Sequence, residues 1–196
     1  MNIHRSPLAS ASTTRAAEGF ERRAFTVAEI MAMQDLGIID ESENFELIEG
    51  EIIPMNAKFH VHERIKAKLN IALARALPDQ WLLGVETSIF LGERTFVEPD
   101  LCLYPEPMPS DEVRGPDILL AIEVAVSTLK YDMGLKAKIY ARYDVRELWV
   151  IDAVQRRTFI HTGPQGDSWA SITEHGAEFV LTHPALSGFC QRLCDI

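Results

Sequence analysis

The spacing of apolar residues along the chain predicts three helices. The first lies in FTVAEIMAMQDLG (25–37), where Thr26 and Glu29 have the residue types and spacing of an N-terminal capping box. The second lies in HERIKAKLNIALARAL (62–77), whose apolar residues recur every three or four positions. The third lies in YDMGLKAKIYARYDV (131–145), and we expect it to tolerate Gly134.

Short apolar runs between these helices predict strands. NFELIEGEIIPM reads as a hairpin, WLLGVETSIFLG as one or two short strands, and TFVEPDLCLYP, DILLAIEVAV, RELWVIDA and TFIHTG as one strand each. Strand 118–126, helix 131–143 and strand 147–152 form a plausible right-handed crossover between parallel strands. The pattern therefore predicts an α/β domain, with a mixed β-sheet covered by helices on both faces and an irregular or short-stranded segment over 164–196.

Two carboxylates interrupt apolar strand-like runs. Eight of the nine residues in ILLAIEVAV (118–126) are apolar and the ninth is Glu123, while Asp100 lies inside the run TFVEPDLCLYP. Because an ionised carboxylate is seldom buried without a partner, each needs a cation, hydrogen bonds or a metal ion. Mg²⁺ prefers oxygen ligands and needs only one or two carboxylates. Pro99 cannot donate a strand hydrogen bond, which favours a sheet edge or a bulge there.

A lysine on the third helix is the candidate cation. Asp132, Lys136 and Tyr140 recur every four residues and share one helix face, so Lys136 reaches the carboxylates if that face looks over the strand ends. Ordinary interpretations stay open from the residues alone. Asp100 could cap a turn, Glu123 could pair with a core arginine, and Asp132 with Lys136 could be a surface ion pair.

Composition limits the class of protein. The chain has 196 residues, of which 47% are hydrophobic and 24% charged, as expected for one globular domain over 24–196. Residues 1–23, rich in Arg, Ser, Thr and Ala, predict a flexible tail, with a transit peptide as the alternative. The three cysteines lack a disulfide pattern, and no apolar run is long enough to cross a membrane. We therefore expect a cytoplasmic protein. Its net charge of −10 is unfavourable for binding nucleic acid.

The chain resembles a known family in several segments. FTVAEIMAM, FELIEGEIIPM, HERIKAKL, EPDLCLY and VRELWVID match, and the most specific match is Glu-Val-Ala-x-Ser-x-Leu-x-Tyr-Asp-x-Gly-x-Lys over 123–136, followed by Tyr-Ala at 140–141. These segments resemble the Uma-type restriction endonuclease family, within the PD-(D/E)xK nuclease superfamily. The resemblance runs from about residue 25 to 160, and it implies a restriction-endonuclease-like fold.

The resemblance also implies the residues of a site. Asp100 matches the Pro-Asp carboxylate and Glu123 the second acid, and both would hold Mg²⁺, with Mn²⁺ as a substitute. Lys136 matches the catalytic lysine, displaced onto the helix, and Glu46 matches an acidic position before the core strands. His62 and Tyr140 match family positions and are candidates for supporting residues or substrate contacts. Glu98 and Asp132 are further candidates, because Glu98 shares a strand face with Asp100 and Asp132 shares a helix face with Lys136.

The implied activity is Mg²⁺-dependent hydrolysis of DNA, and a homodimer would suit the cutting of two strands. Two departures from the family pattern stand out: Val126 replaces a polar residue, and Asp144 replaces a glycine after the third helix. Two alternatives remain. The acidic charge motivates the first, which is a non-catalytic nucleic-acid or protein-binding domain. The other is a metal-dependent hydrolase of a different phosphate ester.

Overall fold

The computed structural model describes residues 23–40, 42–55 and 59–196. The tail predicted for residues 1–23 lies outside the described residues except for Arg23. Helix α1 (Val27–Asp35) and helix α2 (His60–Ala76) are where the apolar spacing predicts them. The capping box is confirmed, because the backbone N–H of Glu29 donates to the Thr26 hydroxyl at 3.1 Å and that of Thr26 donates to the Glu29 carboxylate at 2.9 Å.

The third helix is continuous but changes its winding. It begins with α3 (Leu129–Tyr131), passes through a π-helical turn (Asp132–Lys136) and ends in α4 (Ala137–Arg142). We call this whole segment, residues 129–142, the lysine helix. Just after the lysine helix, Asp144 has a φ of 58°, the left-handed conformation that glycine adopts most readily. The replacement of the family's glycine by Asp144 therefore affects the end of the helix, as expected.

Within the described ranges the strands form two sheets. Their bounds are β1 Phe45–Ile48, β2 Glu51–Pro54, β3 Trp81–Val85, β4 Ile89–Gly92, β5 Thr95–Val97, β6 Leu101–Pro105, β7 Leu120–Ala125, β8 Glu147–Asp152, β9 Arg157–Gln165 and β10 Ser168–His175. One sheet has the order β2-β1-β5-β4, and the other has the order β10-β9-β8-β7-β6-β3. In the second sheet β7 and β8 pair in parallel and the remaining pairs are antiparallel, so the predicted mixed α/β fold is confirmed.

Two strand predictions were wrong. TFVEPDLCLYP is not one strand, because it breaks at 98–100 into β5, which joins the four-stranded sheet, and β6, which joins the six-stranded sheet. Asp100 therefore lies in a bend directly before β6 rather than inside a strand. The segment after residue 163 is also more regular than expected, since it includes the eight-residue strand β10.

The hairpin of β1 and β2 is confirmed, and its turn depends on a glycine. Glu49 and Gly50 have φ values of 52° and 87°, the pair of positive angles that defines the tight turn most compatible with strand twist. A Cβ atom at Gly50 would lie 2.8 Å from the Cα atom of Ala24, so the close approach of the chain before α1 excludes a larger residue. The turn fixes the register that places Glu46 opposite Ile53.

Helices cover both faces of the six-stranded sheet. On one face Ile65, Leu69 and Leu73 of α2 pack against Leu103 and Ile122 of the central strands. On the other face Ala137, Ile139 and Tyr140 of the lysine helix pack in one cluster with residues of β6, β7 and β8. Because β7 alternates between these clusters, Glu123 faces the lysine helix. Among the described residues, no helix combines the length and apolar character needed to cross a bilayer.

Candidate active site

The carboxylates and the lysine singled out by the sequence line a single cavity of about 580 Å³. Its lining comes from the four-stranded sheet, the start of α2, the bend before β6, the end of β7, and the lysine helix. The predicted residues among its lining are Glu46, His62, Glu98, Asp100, Glu123, Asp132 and Lys136. Tyr140 does not line the cavity, but it contacts Glu123 from within the core. The structure therefore brings together all eight residues predicted for the site.

Asp100 is held at the start of β6 by two donors. The backbone N–H of Val124, on the neighbouring strand β7, donates to its carboxylate at 2.7 Å. The His62 Nε2 atom lies 3.0 Å from the same carboxyl group. Since Leu101 pairs with Ile122, Asp100 and Glu123 occupy adjacent positions at the same end of neighbouring strands. The two carboxylates can therefore act on the same bound group.

Glu123 is buried and contacts two residues of the lysine helix. Its Oε1 atom lies 2.8 Å from the Lys136 Nζ atom and accepts a hydrogen bond of 2.5 Å from the Tyr140 hydroxyl. Burial raises the pKa of Glu123 well above its usual value. Lys136 opposes this shift, while Asp100 and two further carboxylates add to it. Burial and the neighbouring carboxylates therefore act against the ionised form of Glu123, and Lys136 acts in its favour.

Glu46 connects the four-stranded sheet to the site. Its Oε1 atom lies 2.8 Å from the Lys136 Nζ atom and accepts from the backbone N–H of Glu98 at 2.9 Å. The Tyr131 hydroxyl donates to its other oxygen at 3.3 Å. Glu98 itself is half-buried and accepts a hydrogen bond from Ser88 at 2.6 Å. Glu46 is thus a full member of the cluster, and Glu98 positions it through the backbone.

Lys136 lies between two carboxylates. Burial by itself would lower the pKa of Lys136, but Glu123 and Glu46 raise it well above its usual value, so the side chain is a buried ammonium ion. The π-helical turn ends at this residue and widens the helix where its side chain enters the cavity. Lys138 lies two residues on and is exposed, as its helical position predicts.

Asp132 adds a fourth buried carboxylate. Its side chain accepts a hydrogen bond of 2.6 Å from Thr128, one turn earlier in the chain. Burial raises the pKa of Asp132, and Lys136 partly opposes this effect. The alternative interpretation of Asp132 and Lys136 as a surface ion pair is excluded, because both side chains are buried in the site.

A second set of charges extends from Asp100 along α2. His62 bridges two carboxylates, with its Nδ1 atom 3.0 Å from Glu63 and its Nε2 atom 3.0 Å from Asp100. Burial lowers the pKa of His62, but these carboxylates outweigh it and raise the value. Lys66 pairs with Glu63 at 2.9 Å and also with Glu86. Sequence reasoning missed Glu63 and Lys66 on α2 and Glu86 directly after β3, because charged residues on helices and in turns ordinarily face solvent.

The donor set fits a divalent cation. Four buried carboxylates (Glu46, Asp100, Glu123 and Asp132) face one buried lysine and one histidine, and their mutual repulsion contributes to the raised pKa of Glu123. A bound cation would offset this excess, and Mg²⁺ takes oxygen ligands while keeping several waters. Within the described part of the chain, no three acidic, histidine or cysteine side chains enclose a ready-made metal cage. An open site, in which one or two carboxylates hold the cation, is compatible both with the cluster of carboxylates and with the absence of a ready-made cage among the described residues.

Comparison with known proteins identifies the family and supports the fold. The Uma2 family, described as "Putative restriction endonuclease", matches residues 27–193, and the chain belongs to this family. The fold resembles a crystal structure of "a putative nuclease" from Anabaena variabilis, with a TM-score of 0.68 and 15% sequence identity over 87% of this chain and 96% of the other. No curated protein matches the sequence. The family supports a nuclease with a restriction-endonuclease-like fold.

Proposed function

We propose that the protein is a Mg²⁺-dependent endonuclease that hydrolyses phosphodiester bonds in DNA. The observation that carries this proposal is the position of the Lys136 ammonium, 2.8 Å from both Glu46 and Glu123, in a cavity that Asp100 also lines. Carboxylates and a lysine are the groups that hold a metal ion and stabilise charge on a phosphate. The family membership supports the same reaction class.

Each residue has a distinct part in this proposal. Asp100 and Glu123 would hold Mg²⁺, which would polarise the phosphate and lower the pKa of a bound water. Lys136 offsets the negative charge that develops on the phosphate, and Glu46 orients the lysine from the opposite sheet. His62 and the backbone N–H of Val124 fix the Asp100 carboxylate, while Tyr140 fixes Glu123.

The test is a comparison of substrates under defined metal conditions. Supercoiled plasmid and a small aryl phosphodiester are each incubated with the protein in Mg²⁺, Mn²⁺ or EDTA. The proposal predicts that plasmid is nicked with either metal and left intact in EDTA. Hydrolysis of the small ester without cleavage of DNA would instead identify a phosphodiesterase of another class.

The acidic net charge of −10 favours one other function, a binding domain that keeps the fold without catalysis. Fluorescence anisotropy with a labelled oligonucleotide distinguishes the two. Neither kind of binding domain turns over substrate: a nucleic-acid-binding domain would retain its affinity in Glu123→Gln, and a protein-binding domain would not bind the oligonucleotide. The nuclease would show metal-dependent turnover in the wild type that Glu123→Gln loses.

A further inference from the structure

The cavity of the candidate site has an apolar part that phosphodiester hydrolysis does not require. Ile53 and Met55 at the end of β2, Phe59 before α2, Val126 after β7 and Leu135 of the lysine helix line the same cavity as the carboxylates. Val126 is one of the two departures from the family pattern. The volume of about 580 Å³ is typical of pockets that enclose a small organic group.

Two of these apolar side chains remain open to solvent. Phe59 is 53% exposed and Leu135 is 44% exposed, although both are large and hydrophobic. The backbone of Phe59 joins the first turn of α2, because its carbonyl accepts a hydrogen bond of 3.1 Å from the backbone N–H of Glu63. His62, which contacts Asp100, lies in that same turn. An aromatic side chain thus borders the cavity that the carboxylates line. A mostly apolar lining with a few converging polar groups is typical of a ligand-binding pocket.

The charges of the cavity lining are unsuited to gripping a duplex. Among the described lining residues the lysines are Lys130 and Lys136, and Lys136 is already held by Glu46 and Glu123. Proteins that bind duplex DNA neutralise many phosphates at once. Lys130, which is exposed, supplies one such contact at this cavity. Binding at the site therefore has to draw on a contact other than charge.

We infer that the apolar part of the cavity binds an unpaired nucleobase, so that the substrate is DNA that is single-stranded or locally unpaired. This inference rests on the proposed function. In a duplex the faces of the bases are stacked on their neighbours, and only the edges and the charged backbone are accessible. An unpaired base exposes its apolar face, which an aromatic side chain can stack against whatever the sequence. A phosphate at the carboxylates would place the adjoining base within reach of Phe59.

The experiment compares a single-stranded oligonucleotide with the duplex of the same sequence, using wild type, Phe59→Ala, Phe59→Trp and Phe179→Ala. Phe179 is a matched control, because it is 41% exposed and does not line the cavity. Both cleavage in Mn²⁺ and binding in Ca²⁺, by fluorescence anisotropy, are measured. We expect kcat/KM at least 10-fold higher for the single strand, and a loss of roughly 10-fold or more in Phe59→Ala that Phe59→Trp restores.

The outcomes separate this inference from the proposed function. Cleavage that is equally fast on duplex and single strand, or equally affected in Phe59→Ala and Phe179→Ala, overturns the nucleobase subsite while leaving the nuclease intact. If no DNA is cleaved, the proposed function fails and the binding measurement decides the subsite. Single-strand binding that Phe59→Ala weakens and Phe179→Ala leaves unchanged supports it, and binding that depends on neither residue overturns it.

Discussion

Lys136 and Glu123 form a buried ion pair between the lysine helix and the central strand β7, with 2.8 Å between the Nζ and Oε1 atoms. The side chains are 5% and 6% exposed, so water does not compensate for the loss of either partner. Breaking such a pair from one side leaves an uncompensated charge in the interior.

Replacement of Lys136 by methionine should therefore damage both stability and activity. Lys136→Met leaves Glu123 and Glu46 facing each other without a cation, and we expect unfolding free energy to fall by about 3–5 kcal/mol. The double variant with Glu123→Gln should recover part of this loss, because it removes one of the two repelling charges. Urea denaturation measures the unfolding free energy of the single and the double variant. A Lys136→Met protein as stable as Lys138→Met, the exposed control on the same helix, would contradict the ion pair.

Tyr140 should be required to orient Glu123. The Tyr140→Phe variant keeps the packing of the ring but loses the hydrogen bond of 2.5 Å to the carboxylate. Loss of a hydrogen bond to a buried carboxyl group should reduce the unfolding free energy by about 1–3 kcal/mol and lower kcat with little change in KM. Tyr104→Phe is the control, since Tyr104 is a buried tyrosine outside the cavity lining. An unchanged kcat in Tyr140→Phe would remove Tyr140 from the site.

The charges along α2 should influence the site through His62. Glu63→Gln weakens the contact of 3.0 Å that holds the Nδ1 atom, so the Nε2 atom is less firmly directed at Asp100. Residues that orient a metal ligand typically alter metal affinity, and we expect Mn²⁺ binding to weaken by up to about 10-fold. Isothermal titration calorimetry measures this without any substrate. The exposed Glu112→Gln serves as the control, and equal Mn²⁺ affinity in the two variants would show that Glu63 does not support the site.

Acid should destabilise the fold through a histidine remote from the site. His161 is fully buried beside Trp169, and burial lowers its pKa. The unfolded chain binds a proton near pH ~6.5. The native histidine stays neutral to a lower pH than this. Its contribution to stability is therefore present above pH ~6.5 and is lost as the pH falls below pH ~6.5. The slope for this residue approaches about 1.4 kcal/mol per pH unit.

Thermal or urea unfolding between pH 5 and 7 measures this dependence. His161→Phe should flatten the fall in stability below pH ~6.5, whereas the exposed His60→Asn should leave it as in the wild type. The same steepness in His161→Phe and wild type would contradict a neutral buried His161.

The sequence predicts the helices, the hairpin and the central strands well, because their apolar spacing is periodic over many residues. It does not predict the break at 98–100, since the residues on both sides are equally apolar and nothing local shows that β5 and β6 pair with different sheets. It also misses β10, whose residues are mostly exposed and so lack an apolar alternation. Which sheet a strand joins, and whether both of its faces are exposed, depend on how the whole chain packs and not on the local sequence.

The candidate site divides in a similar way. Asp100 and Glu123 stand out because carboxylates are costly in apolar segments, and Lys136 follows from helical spacing. Glu46 lies 52 residues from its partner Glu98, and only the family resemblance pointed to it. The roles of Glu63, Lys66 and Glu86 depend on α2 packing beside Asp100, which no local pattern encodes.

The most direct test of the account is the cleavage of supercoiled plasmid in Mg²⁺ by the wild type, Asp100→Ala and Asp79→Ala. Asp79 is an exposed aspartate outside the cavity lining and controls for contaminating nuclease and for a change of charge. We predict that the wild type and Asp79→Ala nick the plasmid at similar rates and that Asp100→Ala loses this activity. Equal nicking by all three proteins, or no cleavage by the wild type of either the plasmid or a single-stranded oligonucleotide, would contradict a metal-dependent nuclease site at Asp100.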